Sequence, residues 1–288
     1  MYKVIKNYRD DDKLRASFNE LAEKTFGLNF EPWYQNGFWT DNYNPYSIVQ
    51  DGKVIANVSV NQTNMIWNGK KKKLIQLGTV MTEESFRNQG LIRKIMEEIE
   101  KDYADKVDGM YLFGNDSVVT FYPKFGFRPS IEAEYYKTVE NTEKATIKQI
   151  SMYTKAERDV LQKAIQNCCR FSSFEMIENS ELYMFYVSNF MQENVYYSQE
   201  LDAYVIAEVE DSDLFIHAII SEKEVSLDDV IETFGNNIKN VTLGFTPINK
   251  VRLQCREHKE EDCTLFLKGE VFEEFEKEEF MFMTLGHA

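Results

Sequence analysis

The sequence contains little cysteine and little proline, with four Cys and five Pro among its 288 residues. Cys168, Cys169, Cys255 and Cys263 are too few and too irregularly spaced to form a disulfide framework in a chain of this length. His258 lies between the last two, but a closed zinc site takes four ligands and this group supplies three. We therefore expect reduced thiols and no bound metal.

The chain also has few positive charges and no long hydrophobic run. Its 33 Lys and Arg face 48 Asp and Glu, which gives a formal net charge of -15. Nucleic-acid affinity depends on Lys and Arg that neutralise phosphates, so this balance argues against a broad nucleic-acid contact and suits a cationic partner. No stretch approaches the roughly 18 apolar residues of a membrane span, and residues 1–12 lack the apolar centre of a signal peptide. We expect a cytoplasmic protein without a membrane partner.

Aromatic side chains, by contrast, are abundant, with 21 Phe and 16 Tyr, and 43% of the residues are hydrophobic. That content is ample for a buried core. The chain is longer than a common single domain, so we expect two modules, residues 1–140 and 141–288, joined by a polar linker over 141–151. The aromatic-rich segment 31–46 is typical of a pocket wall, although burial in the core is the commoner outcome.

The pattern along the first module predicts a mixed α/β (α+β) fold, with a mostly antiparallel twisted sheet flanked by helices. The dipeptides Asp51-Gly52 and Asn68-Gly69 fit tight hairpin turns between β-branched runs. Apolar residues recur at spacings of three and four over residues 87–103, which predicts an amphipathic helix. The second module repeats the order hairpin, helix, strand, so we interpret it as a possible diverged duplicate of the first.

The most informative stretch joins the end of a strand to the start of this helix. Backbone N–H groups at a helix N-terminus are unpaired and carry the positive end of the helix dipole, so they form a site for a pyrophosphate. Gly90 permits close approach of the phosphate to the backbone. The sequence has neither a Gly-Lys-Ser/Thr nor a Gly-x-Gly-x-x-Gly motif. Their absence argues against the phosphate loop of nucleotide hydrolases and the dinucleotide-binding loop.

Two runs carry a resemblance to a known family. The first is Arg87-Asn88-Gln89-Gly90-Leu91-Ile92, and the second is Tyr122-Pro123-Lys124-Phe125-Gly126-Phe127. The first run resembles the signature of the GNAT acetyltransferase superfamily, Gln/Arg-x-x-Gly-x-Gly/Ala. It matches at Arg87 and Gly90, whereas Ile92 stands where the family usually has Gly or Ala. The second run resembles the Tyr-x-x-x-Gly-Phe-like segment of the same family, and together the features cover about residues 46–136.

The resemblance implies that the chain is an N-acetyltransferase using acetyl-CoA as acetyl donor, without a metal. In such domains the fourth and fifth strands splay apart, and the main chain of the fourth binds the pantetheine arm of CoA. The cofactor-binding residues implied are Val80, Met81 and Thr82 for the pantetheine, Arg87, Asn88, Gln89, Gly90, Leu91 and Ile92 for the pyrophosphate, and Asn115 near the thioester. The acceptor implied is a primary amine, either a small cationic molecule or a peptide.

Tyr122 is the predicted general acid, because a phenol within hydrogen-bond reach can protonate the departing thiolate. None of the cysteines lies in the motif region, so we expect direct attack by the amine in a ternary complex. Tyr122 could instead be one packed tyrosine among 16. Two other functions stay open: a CoA-binding regulatory protein without catalysis, and a binding module for a cationic peptide.

As a two-module chain, the sequence also resembles the enhanced intracellular survival family. In that family the C-terminal carboxylate enters the active site of the first domain, which makes Ala288, with His287 beside it, a candidate general base. The second module has no Arg/Gln-x-x-Gly run before its helix, so we expect it to bind no CoA and to form part of the wall of the substrate pocket. The sequence leaves open whether the chain forms a homo-oligomer.

Overall fold

The computed structural model describes residues 2–140 and 143–287. Over these ranges two sheets lie among six α-helices, which confirms the predicted mixed fold. The strands are β1 (Val4–Ile5), β2 (Tyr43–Gln50), β3 (Lys53–Trp67), β4 (Lys70–Thr82), β5 (Gly109–Gly114), β6 (Arg128–Ser130), β7 (Ala133–Thr138), β8 (Lys148–Ile150), β9 (Phe174–Ile177), β10 (Val195–Ser198), β11 (Ala203–Glu210), β12 (Asp213–Ile220), β13 (Asn240–Leu243), β14 (Gln254–Glu257) and β15 (Thr264–Lys268). The α-helices are α1 (Asp12–Phe26), α2 (Glu31–Gln35), α3 (Leu91–Tyr103), α4 (Lys155–Asn167), α5 (Ser180–Asn189) and α6 (Leu227–Thr233).

Both sheets are mostly antiparallel and share one connection pattern. The first sheet has the order β1-β2-β3-β4-β5-β15-β6, with β9 paired to the end of β3. The second has the order β14-β7-β13-β12-β11-β10-β8. Within each, three successive antiparallel strands are followed by a helix and a parallel strand, which is β5 beside β4 in one sheet and β13 beside β12 in the other. This common order is the one that a duplicated module would have.

The two halves of the chain exchange strands at equivalent positions of the two sheets, and β9 of the second half also pairs with β3 of the first sheet. In the first sheet, β15 lies between β5 and β6 and pairs antiparallel with both, although it comes from the end of the chain. In the second sheet, β7 lies between β13 and β14 in the equivalent position, although it comes from the first half. A division at residue 140 therefore separates two lengths of chain but does not separate the two sheets.

Local sequence explains where the helices begin. The carboxylate of Asp11 accepts hydrogen bonds from the first backbone N–H groups of α1, and Thr154 and Glu157 form a capping box at α4. Helix α3 begins at Leu91, later than its apolar period predicts, because Asn88 and Gly90 have φ angles of 62° and 74° in the left-handed region. No helix in the described ranges is long and apolar enough to span a bilayer.

The first sheet has a hydrophobic core on each face. Under α3, apolar side chains of that helix, including Ile95 and Ile99, pack on β3, β4 and β5. On the opposite face, α1 and α2 cover a larger core that continues into the second half of the chain. The indole Nε1 of Trp33 donates to the backbone oxygen of Glu181 at 2.8 Å, which fixes α2 against α5. The halves are thus joined by shared strands and by a shared core.

Because of the strand exchange, we expect residues 1–140 produced alone not to fold cooperatively. Without β15, the short strand β6 loses the strand it pairs with. Without β13 and β14, strand β7 loses both of its neighbours. Thermal unfolding followed by circular dichroism should show a cooperative transition only when residues 143–288 are supplied as a second chain. The control is the full chain cleaved between residues 140 and 143. A cooperative transition for residues 1–140 alone would contradict the exchange.

Candidate active site

The site begins as a gap in the middle of the first sheet. Strands β4 and β5 pair in parallel only from Leu74 opposite Gly109 to Gln76 opposite Tyr111. Beyond that point β4 continues beside β3 alone as far as Thr82. Backbone groups on the open side of β4, over residues 77–82, therefore have no strand partner and are available to a bound molecule.

A β-bulge at Thr79 gives the local reason for the gap. The register between β3 and β4 shifts between Asn57 and Ser59, and Thr79 has a φ angle of 47°. The side-chain amide of Asn57 donates to the backbone oxygen of Thr79 at 2.9 Å, and the hydroxyls of Tyr43 and Thr79 are 2.5 Å apart. A bulge bends its strand and increases its twist, so this one turns β4 away from β5.

A cavity of about 890 Å³ runs through this gap from one face of the sheet to the other. The predicted site residues that line it are Val80, Met81, Thr82, Arg87, Asn88, Ile92, Asn115 and Tyr122. Three predicted residues do not line it: Gln89 and Gly90 are exposed in the turn before α3, and Leu91 is buried in the core under that helix. Ala288 lies outside the described residues, so its role stays a prediction.

The turn before α3 leaves the helix N-terminus open. Arg87, Asn88, Gln89 and Gly90 are exposed, and no side chain caps the helix. The side chain of Arg87 makes a long contact of 3.5 Å from its Nε to the backbone oxygen of Thr82. Ile92, the second residue of α3, lines the cavity, so a branched side chain forms the wall where the related motif has Gly or Ala.

Tyr122 lies across the gap at the start of a 3₁₀ helix, Tyr122–Phe125. Its ring packs against Phe266 and against Gly114, where an added Cβ would lie 2.9 Å from the tyrosine Cε2. The hydroxyl makes no hydrogen bond within the described residues. Burial raises the pKa of Tyr122 to about 12, so the phenol stays protonated and can donate. Asn115 also lines the cavity, and its Oδ1 accepts from the Ser117 hydroxyl at 2.6 Å.

On the opposite face of the sheet the cavity has an aromatic wall. Trp33 and Tyr43 come from the segment 31–46, whose aromatic content suggested either a pocket or a core, and Phe30 directly precedes it; all three line the cavity and belong to the core. Phe185 and Tyr186 come from α5 in the second half, and sequence reasoning missed them. Helix α5 is apolar on nearly all sides, so its pattern gives no sign of which side faces a cavity.

The end of the described chain enters the same cavity. The ring of His287 stacks on Phe113 with centroids 3.8 Å apart, and its backbone oxygen accepts from the Tyr186 hydroxyl at 2.6 Å. The Nε2 atom of His287 is buried without a hydrogen-bond partner in the described residues. Burial lowers the pKa of His287 to about 3, so its imidazole is neutral at physiological pH.

The segment before His287 is anchored in the second sheet. Strands β12 and β13 also diverge, because their parallel pairing ends at Ile216 opposite Leu243. Thr284 occupies the opening: its N–H donates to the backbone oxygen of Gly244 at 3.0 Å, and its hydroxyl lies 2.8 Å from Nδ1 of His217. The gap that would correspond to the cavity of the first sheet is therefore filled by the chain itself. That the second half binds no CoA stays a prediction.

A second cavity of about 570 Å³ lies beside the first and shares Phe113 with it. Its wall includes Glu132, Glu257, Glu260 and Glu276. Glu132 is buried, one of its carboxylate oxygens accepts from the Phe282 N–H at 2.7 Å, and burial raises the pKa of the carboxyl to about 7. Among residues 2–140 and 143–287, no group of three or more His, Cys, Asp or Glu is placed to hold a metal ion.

Comparison with known proteins agrees with this geometry. Residues 5–130 match the family model of the acetyltransferase (GNAT) domain. This match assigns residues 5–130 to the GNAT acetyltransferase domain family. The open gap between β4 and β5, the turn before α3 and Tyr122 all lie within these residues. No curated protein sequence matches the chain.

Solved structures resemble the chain over both halves. A probable N-acyltransferase from Enterococcus faecalis V583 aligns at 16% identity and a TM-score of 0.61, covering 92% of this chain and 72% of that one. Eis1 from Mycobacterium abscessus aligns at 10% identity and a TM-score of 0.55, covering 91% and 73%. A GCN5-related N-acetyltransferase from Kribbella flavida aligns at 12% identity and a TM-score of 0.55, covering 92% and 71%. At these identities the likeness shows the fold, in which a second module follows the GNAT domain.

The buried Glu132 gives a test of the packing beneath the second cavity. Because its folded pKa is raised above the unfolded value, its contribution to the free energy of unfolding is present below about pH 4.5 and is lost as the pH rises through about 7. Glu132→Gln keeps an acceptor for Phe282 and removes the charge. Relative to wild type, this variant should gain on the order of 2 kcal/mol between pH 4.5 and 8.

Urea unfolding at several pH values measures this difference. The control is Glu273→Gln, which makes the same substitution at an exposed carboxylate. If Glu132→Gln and Glu273→Gln show the same pH dependence as wild type, Glu132 is not buried as the structure has it.

Proposed function

We propose that this protein transfers the acetyl group of acetyl-CoA to a primary amine by direct attack of the amine, with both substrates bound at once. The observation that carries the proposal is the cavity through the gap between β4 and β5. It brings the open side of β4, the free N-terminus of α3 and the unpaired hydroxyl of Tyr122 to one continuous space.

The residues around the gap fit a CoA thioester. The N-terminus of α3 offers uncapped backbone N–H groups with the positive end of the helix dipole, and Arg87 adds an exposed cation beside them. The free backbone edge of β4, at Val80, Met81 and Thr82, can pair with the amide groups of a pantetheine arm, much as a peptide adds to a sheet edge. Acetyl-CoA supplies an activated acetyl thioester at this place.

Tyr122 is the proposed general acid. Its pKa of about 12 keeps the proton on the phenol over the physiological range, and its hydroxyl has no partner within the described residues to compete for that proton. It can therefore donate to a sulfur that develops negative charge within hydrogen-bond reach. Asn115 lines the cavity on the same side of the gap.

The amine must lose a proton, and the described residues supply no strong base for it. His287 faces the amine side of the cavity, but a pKa of about 3 makes its imidazole a weak base. The hydrogen bond from Tyr186 to the backbone oxygen of His287 holds the residue before Ala288 at this site. We therefore propose the carboxylate of Ala288 as the general base, in addition to the proposed acetyl-CoA site.

Arg87→Glu should weaken acetyl-CoA binding at least tenfold, because it replaces a cation at the phosphate site with an anion. Isothermal titration calorimetry of acetyl-CoA into each protein measures the effect. Arg252→Glu, which makes the same charge change at an exposed position outside the cavity, should bind like wild type. Absence of binding to the wild type would contradict the acetyltransferase proposal.

Tyr122→Phe should lower kcat by about 100-fold and leave the Kd of acetyl-CoA within twofold of wild type, since only the proton donor is removed. Release of CoA in the presence of a panel of primary amines, including 2-phenylethylamine and spermidine, measures the rate. Tyr153→Phe, at an exposed tyrosine far from the motif, is the matched control. A kcat for Tyr122→Phe equal to that of wild type would remove Tyr122 from the mechanism. Binding of acetyl-CoA without transfer to any amine would indicate the regulatory alternative.

A further inference from the structure

We propose that the amine substrate is a monoamine on an apolar or aromatic body, and that the aromatic wall of the cavity binds this body. The inference rests on the proposed acetyl transfer and deepens it by naming the substrate class. It narrows the expected acceptor, a small cationic molecule or a peptide amine, to a monoamine with an apolar body.

The position of the amine follows from the course of the cavity. On the α3 face of the sheet, the lining residues Ile92, Phe121 and Tyr122 pack with the core under α3, next to the proposed phosphate site. On the other face, the lining belongs to the core shared by α1, α2 and α5. With the thioester arm entering from the α3 side, the amine reaches the gap from the opposite side.

That opposite side is apolar. Its wall consists of Leu28, Phe30, Trp33, Tyr43, Leu182, Phe185, Tyr186 and Phe190. No Asp or Glu lines the cavity among residues 2–140 and 143–287. A polyamine or an amino sugar would bring several charged or hydroxyl groups into this space without a carboxylate to receive them.

Apart from Nε2 of His287, which has no partner within the described residues, the polar side-chain atoms of the wall bind to other atoms of the protein. The Trp33 indole donates to a backbone oxygen, the Tyr43 hydroxyl pairs with Thr79, and the Tyr186 hydroxyl donates to the His287 backbone oxygen. What these rings present to the cavity is therefore carbon. Each polar group of a substrate that loses its water here without a partner should lower affinity by about tenfold or more.

The mouth of the cavity is apolar as well. Phe26 and Phe190 line it and are 47% and 52% exposed, so two large apolar rings face solvent at the entrance. Phe190 contacts the rings of Phe185 and Tyr186, so it continues the buried wall out to solvent. An apolar substrate body would cover these exposed rings.

The acidic side chains of this region lie in the other cavity. Glu132, Glu257 and Glu260 line the 570 Å³ space, which shares only Phe113 with the lining of the first cavity. The acidic residues that give the chain its net charge of -15 therefore do not line the aromatic wall. A monocation can still be accepted there, because an ammonium is attracted to the faces of aromatic rings.

The apolar wall also suits the chemistry. Burial of an ammonium in apolar surroundings lowers its pKa, so a larger fraction of the bound amine is the neutral nucleophile. In the transfer the amine nitrogen forms a bond to the acetyl carbon and the carbon–sulfur bond breaks. The neutral amine nitrogen loses one proton, the thiolate receives one from Tyr122, and the proton from nitrogen, carried by water, restores the Tyr122 phenol. A cavity that favours the neutral amine reduces the need for a strong base, which the described residues do not supply.

The test compares amines of different polarity with one donor. We expect kcat/KM for 2-phenylethylamine to exceed the values for spermidine and ethanolamine at least 100-fold, measured by CoA release from acetyl-CoA. A preference for spermidine or for an amino sugar would overturn the inference and leave the acetyl transfer itself in place. Absence of transfer to every amine would count against the proposed function.

Binding separates the two proposals when there is no turnover. Calorimetric titration of the CoA-loaded protein should show binding of 2-phenylethylamine at least tenfold tighter than that of spermidine. Equal or reversed affinities would overturn the aromatic substrate class, whatever the activity. Tighter binding of 2-phenylethylamine without acetylation would support the binding of an apolar amine by the aromatic wall. It would contradict the proposed acetyl transfer.

A variant with a negative charge at the mouth of the cavity also tests the proposed substrate class. Phe190→Glu should raise KM for 2-phenylethylamine at least tenfold, lower KM for spermidine, and leave the Kd of acetyl-CoA unchanged. Val251→Glu places the same charge at a residue that is 74% exposed and outside the cavity, and it should behave as wild type. An unchanged KM for 2-phenylethylamine in Phe190→Glu would overturn the proposal, because Phe190 is exposed and its substitution disturbs little packing.

Discussion

The arrangement of the site depends on the bend that the bulge at Thr79 puts into β4. Up to Gln76, β4 is an interior strand with a neighbour on each side, and beyond it the strand keeps only β3. The bulge is held by the buried amide of Asn57 and by Tyr43, whose ring is also part of the aromatic wall. The feature that opens the sheet is thus tied to the feature that would bind the amine. Without the bend, β5 would cover the backbone edge that the cofactor arm is proposed to use.

The second half of the chain contributes side chains to this cavity. It repeats the order of strands of the first half, but its own diverging pair, β12 and β13, is filled by Thr284 and its neighbours. The same segment continues to His287, which reaches the cavity of the first sheet. Helix α5 adds Phe185 and Tyr186 to that cavity, and β15 supplies an interior strand to the sheet that contains it. The architecture makes the amine side of the cavity a joint product of both halves.

Local features of the sequence pointed to residues that the structure brings together around the gap, because these residues lie close to one another along the chain. A helix start, a glycine and a tyrosine-containing run lie within about fifty residues, and the structure brings Arg87, Asn88 and Tyr122 to one cavity. The exact start of α3 was wrong because Asn88 adopts a left-handed conformation that an apolar period does not report. The exchange of β7 and β15 was not predictable, since alternation along a strand shows that one face is buried but not which strand lies beside it.

The amine side was harder to predict for a related reason. The aromatic segment 31–46 gave a signal that fitted either a core or a pocket, and the structure shows that Trp33 and Tyr43 belong to both. The residues from α5 gave none, because a helix that is apolar all round has no face that marks a cavity. Only the packing of the two halves against each other selects Phe185 and Tyr186.

Hydrogen exchange of the intact protein, with and without acetyl-CoA, tests the central claim that the gap between β4 and β5 is the donor site. The account predicts slower exchange over residues 77–82 and 88–93 when acetyl-CoA binds, and no change over residues 217–220 of β12, beside the filled gap of the second sheet. Protection confined to other regions, or equal protection of β12, would contradict it.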